Sequence, residues 1–206
     1  MMTASVSNRP SAAKRKRLSP EERRSQLLET AVDVFAEMGI ERAGHGDIAK
    51  RAGVSTPTVF NYFPTRARLV EAVLAEIEGD VAEMFASVPV ETPETGNVRR
   101  HRILQLATAY QNMVERKPGA AKTFLKWGVS FDPDIRPTYL AFQTRMLDFL
   151  VAYLPDNPED PAKARAEARI LYGAANLLAA MAFDNFKPEE MYDYVGRIAD
   201  ILSQPV

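Results

Sequence analysis

Apolar positions along this chain recur at helical spacing, and no segment alternates long enough to predict a strand, a hairpin or an internal repeat. Leu27, Ala31, Val34, Phe35 and Met38 stand at i, i+4, i+7, i+8 and i+11, one buried stripe of a first helix. Ser19-Pro20-Glu21-Glu22 opens that helix as a capping box with proline at its first position, and Gly39 ends it. A second helix is predicted near 45–52 and a third near 56–62. A fourth starts around Thr65 and carries Leu69, Val70, Val73, Leu74, Ile77, Val81, Met84 and Phe85. It is too long for a three-helix head alone, so it is expected to join head to body. Val88 to Gly96 reads as a loop from its prolines, threonines and glycine. Further helices are predicted at 98–115, 119–129, 135–154, 162–183 and 188–203, punctuated by prolines. The fold class is all-α.

The residues from Gly46 to Phe63 form two short helices broken by Gly53, the layout of a helix-turn-helix reader of DNA. Ile48, Ala49 and Ala52 share one face of the first. Ser55 is placed to cap the second through its hydroxyl, and Pro57 falls in the first turn, where a missing N–H costs little. Ser55, Thr56, Thr58, Asn61 and Tyr62 are hydrogen-bonding types on the face turned from the core, while Val59, Phe60 and Phe63 are expected inward. The domains follow: a disordered basic arm over 1–18, a three-helix helix-turn-helix head over 19–66, and a C-terminal helical ligand and dimerisation domain over 67–206.

The run DIAKRAGVSTPTVFNYFPTR, Asp47 to Arg66, resembles the shared pattern of TetR-family transcriptional regulators without a gap, within a likeness spanning Leu27 to Leu74. KRKRLSPEERRSQLL (Lys14 to Leu28), FAEMGIERAGHGDIA (Phe35 to Ala49) and TVFNYFPTR (Thr58 to Arg66) are similar to a subgroup, the vibrio-type quorum-sensing master regulators; likeness thins after residue 85. The resemblance implies a DNA-binding head, an apolar pocket among the middle helices, and a minor-groove arm ahead of the first helix.

Net charge is −1, which by itself argues against a nucleic-acid partner. Its distribution changes the picture. Residues 1–70 hold 12 Lys/Arg against 7 Asp/Glu, and the remainder holds 14 against 20. One segment suited to phosphate and another not is the expected asymmetry. The absence of cysteine excludes disulfides, thiolate catalysis and zinc-thiolate fingers. No apolar run approaches the ~18 residues of a membrane span, and the first residues lack the apolar core of a secretory signal, so a cytoplasmic protein with no membrane partner is expected. His45 and His101 are the only histidines, neither with a third ligand at metal spacing, and no Walker, Rossmann or nucleophile-elbow pattern occurs. No enzyme, no metal and no cofactor are expected.

In the head, Asn61 is the foremost base-contact candidate, because an asparagine amide can bond adenine bidentately; the competing role is a helix C-cap. Thr56 and Thr58 suit phosphates or a thymine methyl, or first-turn capping. Tyr62 suits a phosphate through its hydroxyl, and Lys50 and Arg66 lie where phosphates would pass. Of the basic run Lys14 to Arg17, Arg15 and Arg17 are chosen for a narrow minor groove; a solvated tail is the alternative.

Downstream, the resemblance's pocket is assigned to Phe85, Tyr110, Phe124, Trp127, Phe142, Gln143 and Met146, with ordinary core packing as the competing reading of each. Residues 170–183 (ILYGAANLLAAMAF) are nearly apolar all round, which predicts burial on every side, and a second subunit is the cheapest cover. Ala174, Leu178 and Ala179 are assigned to that interface. The sequence thus reads as a homodimeric regulator on a partly palindromic double-stranded DNA operator, responsive to a small apolar ligand of unidentified chemistry. A global regulator of quorum-sensing type is the finer form of that reading. The alternatives are a local ligand-responsive repressor of an efflux or catabolic operon, and a helical sensor or interaction module that does not bind DNA.

Overall fold

The computed structural model describes residues 18–89, 96–154 and 160–204. The basic arm, including Arg15 and Arg17, lies outside them. Nine helices and no strand occur among the described residues: α1 (Pro20–Met38), α2 (His45–Ala52), α3 (Thr56–Tyr62), α4 (Arg66–Ser87), α5 (Val98–Arg116), α6 (Pro118–Gly128), α7 (Arg136–Tyr153), α8 (Pro161–Phe183) and α9 (Pro188–Leu202). No helix of the described residues is long and apolar enough to cross a membrane. Nor do they hold a cluster of three or more metal-ligating side chains.

Local chemistry sets the helix ends. The Ser19 hydroxyl accepts from the Glu22 N–H at 3.1 Å, and the Glu22 carboxylate accepts from the Ser19 N–H at 2.7 Å, the reciprocal cap that starts α1. Gly39 ends α1 at φ 87° and Gly53 ends α2 in the left-handed region at φ 67°, a backbone that side chains other than glycine adopt only with strain. The Thr65 hydroxyl accepts from the Arg68 N–H to start α4.

Packing follows the stripes. Leu27, Ala31, Val34 and Phe35 of α1 close over Ile48 and Ala49 of α2, Val59 of α3 and Phe63 at its C-terminal cap, all buried. α4 then carries its apolar line out of the head, from Leu69 to Met84. At 1.5 Å per residue it is about 33 Å long, so one rigid element is shared by the head and the larger helical body. α1 also packs against α6, and the main core is continuous from Leu27 to Leu202. α5 is tied to the end of α9: Arg99 donates to the Leu202 carbonyl and pairs with Glu167 at 2.5 Å, and Arg100 pairs with Asp200 at 2.7 Å.

α8 is covered by its own chain on one side only. Leu171, Leu178, Ala179 and Met181 are buried by this chain's own helices, while Ile170 and Leu177 stand 49% and 51% exposed. At 100° per residue, positions 171 and 178 share the inward face, and 170, 173 and 177 share the outward one. The assignment of Leu178 and Ala179 to a dimer interface is therefore corrected. Leu178 lines a cavity of the same subunit, and Ala179 packs with Val114 and Ala121. Ala174 also lines that cavity.

Candidate nucleic-acid interface and body cavity

α3 is seated in the head by Val59 and Phe63, 0% and 2% exposed, one helical turn apart. Its opposite face is made of Pro57, Phe60 and Asn61. Asn61 is exposed within the helix, which continues to Tyr62, and among the described residues the only non-glycine with positive φ is Asn185. The left-handed C-cap considered for Asn61 is thus not formed, and its amide is free to face outward.

Two expectations in α3 are corrected. The Ser55 hydroxyl does not cap a backbone N–H; it pairs with the Thr58 hydroxyl at 2.8 Å, leaving the turn closed by the Thr58 N–H to the Ser55 carbonyl. Phe60 does not point inward. It is 44% exposed and lies flat on the His45 ring, centroids 4.0 Å apart and planes 6° apart. His45 Nε2 lies 2.7 Å from the Phe63 carbonyl oxygen, and since a carbonyl can only accept, that nitrogen donates. The imidazole thereby ties the start of α2 to the end of α3 and holds Phe60 against the surface. Sequence periodicity could not find Phe60, because nothing in the pattern shows that a histidine from the preceding helix would flank it.

The cations around α3 divide into free and committed ones. Lys50 is exposed in the last turn of α2, whereas Arg51 beside it forms an ion pair with Glu37. Arg66 was expected at a phosphate. Its Nη2 instead donates to the carbonyls of Ile40 and Glu41, at 2.5 and 2.7 Å, and so closes the chain between α1 and α2 onto the start of α4. The half-buried Tyr62 lines an open groove with Arg24, Thr65 and Arg68. Arg24 sits over the Phe63 ring at 5.5 Å and was not selected from sequence, where it reads as one more charge on a solvated face. Thr56 and Thr58 are half-buried in the first turn of α3.

In the body, α4 to α9 surround a cavity of about 100 Å³ that opens to solvent. Phe85, Tyr110, Phe124, Phe142 and Met146 line it. Trp127 and Gln143 do not, which corrects both assignments. Trp127 is 0% exposed and packs edge-on to Phe124 and Tyr139, its centroid 5.4 Å from the latter. It belongs to the core beside the cavity. Gln143 follows Phe142 on α7, about 100° round the helix from the stripe of Phe142 and Met146 that faces the space.

The polar groups of the wall are few. The Tyr172 phenol meets that of Tyr139 at 2.9 Å, and burial, aided by this contact, pushes it far above the ordinary tyrosine range. The Tyr194 hydroxyl donates to the Ala174 carbonyl at 3.2 Å. Asp80 pairs with Lys117 at 2.9 Å, and that carboxylate in turn holds the lysine pKa above its usual value. Burial alone raises the Tyr110 phenol.

These features have counterparts in known proteins. Residues 27–73 match the model of the bacterial regulatory proteins of the tetR family. The chain is 37% identical over 136 residues to the HTH-type transcriptional regulator LuxR of Vibrio harveyi, covering 66% of this chain and 62% of that protein. The chain thus spans less than two thirds of that relative's length. Among solved structures, a transcriptional regulator from Rhodococcus sp. Rha1 superposes with a TM-score of 0.71 at 20% identity, over 87% of this chain and 95% of that one. A transcriptional regulator FadR from Bacillus subtilis, solved in complex with stearoyl-CoA, gives 0.69 at 16% identity, over 88% and 98%. These two likenesses are of fold. The likeness to the tetR family of bacterial regulatory proteins thus lies in the head, residues 27–73.

Proposed function

We propose that the protein is a sequence-specific DNA-binding transcriptional regulator that acts as a homodimer on a partly palindromic operator. The observation that carries this reading is the outer face of α3. Asn61 and Phe60 stand exposed there on a helix anchored by Val59 and Phe63, without a charged side chain among them. An uncharged face of this size fits base edges in a major groove: the Asn61 amide suits adenine, and the Phe60 ring suits the methyl group of thymine. Lys50 and Arg24 flank it as phosphate contacts, with Tyr62 and the threonines of the first turn. Arg15 and Arg17 would enter the adjoining minor groove.

Two heads are needed for half-sites about 34–36 Å apart, and the exposed apolar residues Ile170 and Leu177 on α8 supply a face for a second copy. Likeness to LuxR of Vibrio harveyi favours a quorum-sensing type of global regulator. The body cavity favours control by a small ligand, which would act by its differential affinity for two spacings of the heads; a local ligand-responsive repressor fits that same observation. The test is to map binding sites of the full chain across its genome, then titrate the recovered duplex against a scrambled one. A specific complex about a thousandfold or more tighter than the scrambled one is expected. Equal affinities would reject the reading and leave a helical interaction module.

A further inference from the structure

We infer that the body cavity takes an uncharged, elongated, mostly apolar molecule with one hydrogen-bonding group, and that Tyr110, with Asn176 of the same wall, receives that group. The inference rests on the cavity being the ligand site of the regulator proposed above, and adds the chemical class. Three observations carry it.

The first is the charge of the wall. Among the lining residues there is no lysine, arginine or histidine. A carboxylate or phosphate drawn into this space would lose its hydration and meet no cation, a penalty that excludes anions from an otherwise apolar site. The single acidic group, Asp80, already has its counter-ion in Lys117 at 2.9 Å, so a cationic guest would have to displace a formed ion pair.

The second is the unmet hydrogen bond. Of the three lining phenols, Tyr172 is satisfied by Tyr139 and Tyr194 by the Ala174 carbonyl. Tyr110, half-buried in the wall, has no hydrogen-bond partner among the described residues. A guest that pairs with this hydroxyl gains a hydrogen bond that no side chain of the wall already occupies. Asn176, on α8 one turn beyond Tyr172, is in reach of the Tyr172 phenol and brings an amide that can both donate and accept.

The third is shape. The lining on α4 runs from Ile77 to Phe85, eight steps or about 12 Å of helix, and that on α8 from Leu171 to Leu178. The remaining wall is aliphatic, aromatic and methionine side chains, including Phe124, Phe142 and Met146. Such a space suits an alkyl chain or a slender ring system with its polar atom at one point.

The experiment uses three eight-carbon probes that differ only in the head: 1-octanol, octanoate and octylammonium, each titrated at pH 7 into the full chain and followed by calorimetry and by the melting midpoint. Octanol should bind saturably and raise the midpoint, and should bind at least about tenfold more tightly than either ion, because only the ions lose a hydration shell without compensation. Tyr110→Phe removes one hydroxyl and should weaken octanol about three- to tenfold, while leaving the unliganded midpoint close to that of the parent. Ala107→Phe, which fills part of the space, should abolish octanol binding. Octanoate binding as tightly as octanol would overturn the neutral class, and octylammonium binding more tightly would move the anchor to Asp80. Unchanged octanol affinity in Tyr110→Phe would overturn the role of Tyr110. Binding of none of the three probes would instead reject the cavity as a ligand site.

Discussion

The buried hydroxyl of Thr123 on α6 donates to the carbonyl oxygen of Val32 on α1 at 3.1 Å. Three residues on, Lys126 Nζ donates to the carbonyls of Ala36 and Glu37, at the C-terminal end of α1 where unpaired carbonyls attract a cation. Between these two residues, Phe124 lines the cavity, as do Ala120 and Ala121. One short helix therefore grips the head with one face and forms the cavity wall with another. Replacing Thr123 by Val and Lys126 by Met together should leave octanol affinity nearly unchanged and cost about 1–3 kcal/mol of stability, from the missing hydrogen bonds. The change in operator affinity that octanol produces should shrink, since coupling between two sites requires an element that both bias. Operator titrations with and without octanol measure this. Coupling of the same size in parent and variant would show that α6 does not carry it.

Asn61 and Phe60 make a paired prediction. Asn61→Ala should weaken binding to the operator by about 1–3 kcal/mol and hardly affect a random duplex. Phe60→Ala should weaken it by a similar order, and the loss should vanish on an operator in which uracil replaces thymine at the contacted step, because only the methyl group is then missing. Anisotropy titrations of the four combinations decide. Equal losses on specific and random duplexes would leave both residues without a base-reading role.

The legible part of this fold was the set of elements, and the reason is visible in Ser19, Gly39, Gly53 and Pro118. Caps, glycines and prolines act on their nearest neighbours, so their meaning is local and survives in the sequence. The five lining residues Phe85, Tyr110, Phe124, Phe142 and Met146 could be grouped because the family resemblance implies an apolar pocket among the middle helices, which carry these aromatic and methionine side chains. What the pattern could not carry was the side to which a buried residue is buried. Trp127 and Phe124 lie on neighbouring parts of α6, yet the first is enclosed by Tyr139 and Phe142 while the second borders empty space. Phe60 was missed for a related reason, as its partner His45 comes from another helix. Arg66 looked like a phosphate ligand because charge alone does not show that the carbonyls of Ile40 and Glu41 are in reach.

Trp127 now has a structural role that can be measured. Trp127→Ala should cost roughly 3–5 kcal/mol, the usual range for emptying a large aromatic site. Trp127→Phe should cost clearly less than its reduced volume suggests, because the buried indole N–H has no hydrogen-bond partner and its removal relieves an unsatisfied donor. Octanol binding should survive in the Phe variant. Equal destabilisation by Phe and Ala in chemical unfolding would contradict this account of the indole nitrogen.

Removal of residues 1–17 deletes Arg9 and the run from Lys14 to Arg17 and leaves the Ser19 cap in place. The melting midpoint should not change. Operator affinity should fall, and the slope of log affinity against log salt should become shallower by about 0.9 for each DNA phosphate that the arm no longer neutralises. A truncated chain with an unchanged salt slope would deny the arm any role in holding DNA.

The last prediction separates the two faces of α8. Leu177 is 51% exposed on this subunit, and Ala179, two positions on, is 1% exposed. An arginine at 177 would enter solvent in a monomer but lie unpaired in an apolar contact between two copies, where a buried charge without a partner is strongly unfavourable. Leu177→Arg should therefore give a folded, helical monomer in sedimentation, with operator binding weakened because the two heads are no longer joined. An arginine at 179 would instead be driven into Val114 and Ala121 of its own chain. Ala179→Arg should unfold the body or leave the protein insoluble, whatever its assembly. A Leu177→Arg protein that remains dimeric would place the second copy elsewhere. A well-folded Ala179→Arg protein would contradict the packing of α8 against α5 and α6, since no neighbouring side chain in that cluster offers a charge to pair with it.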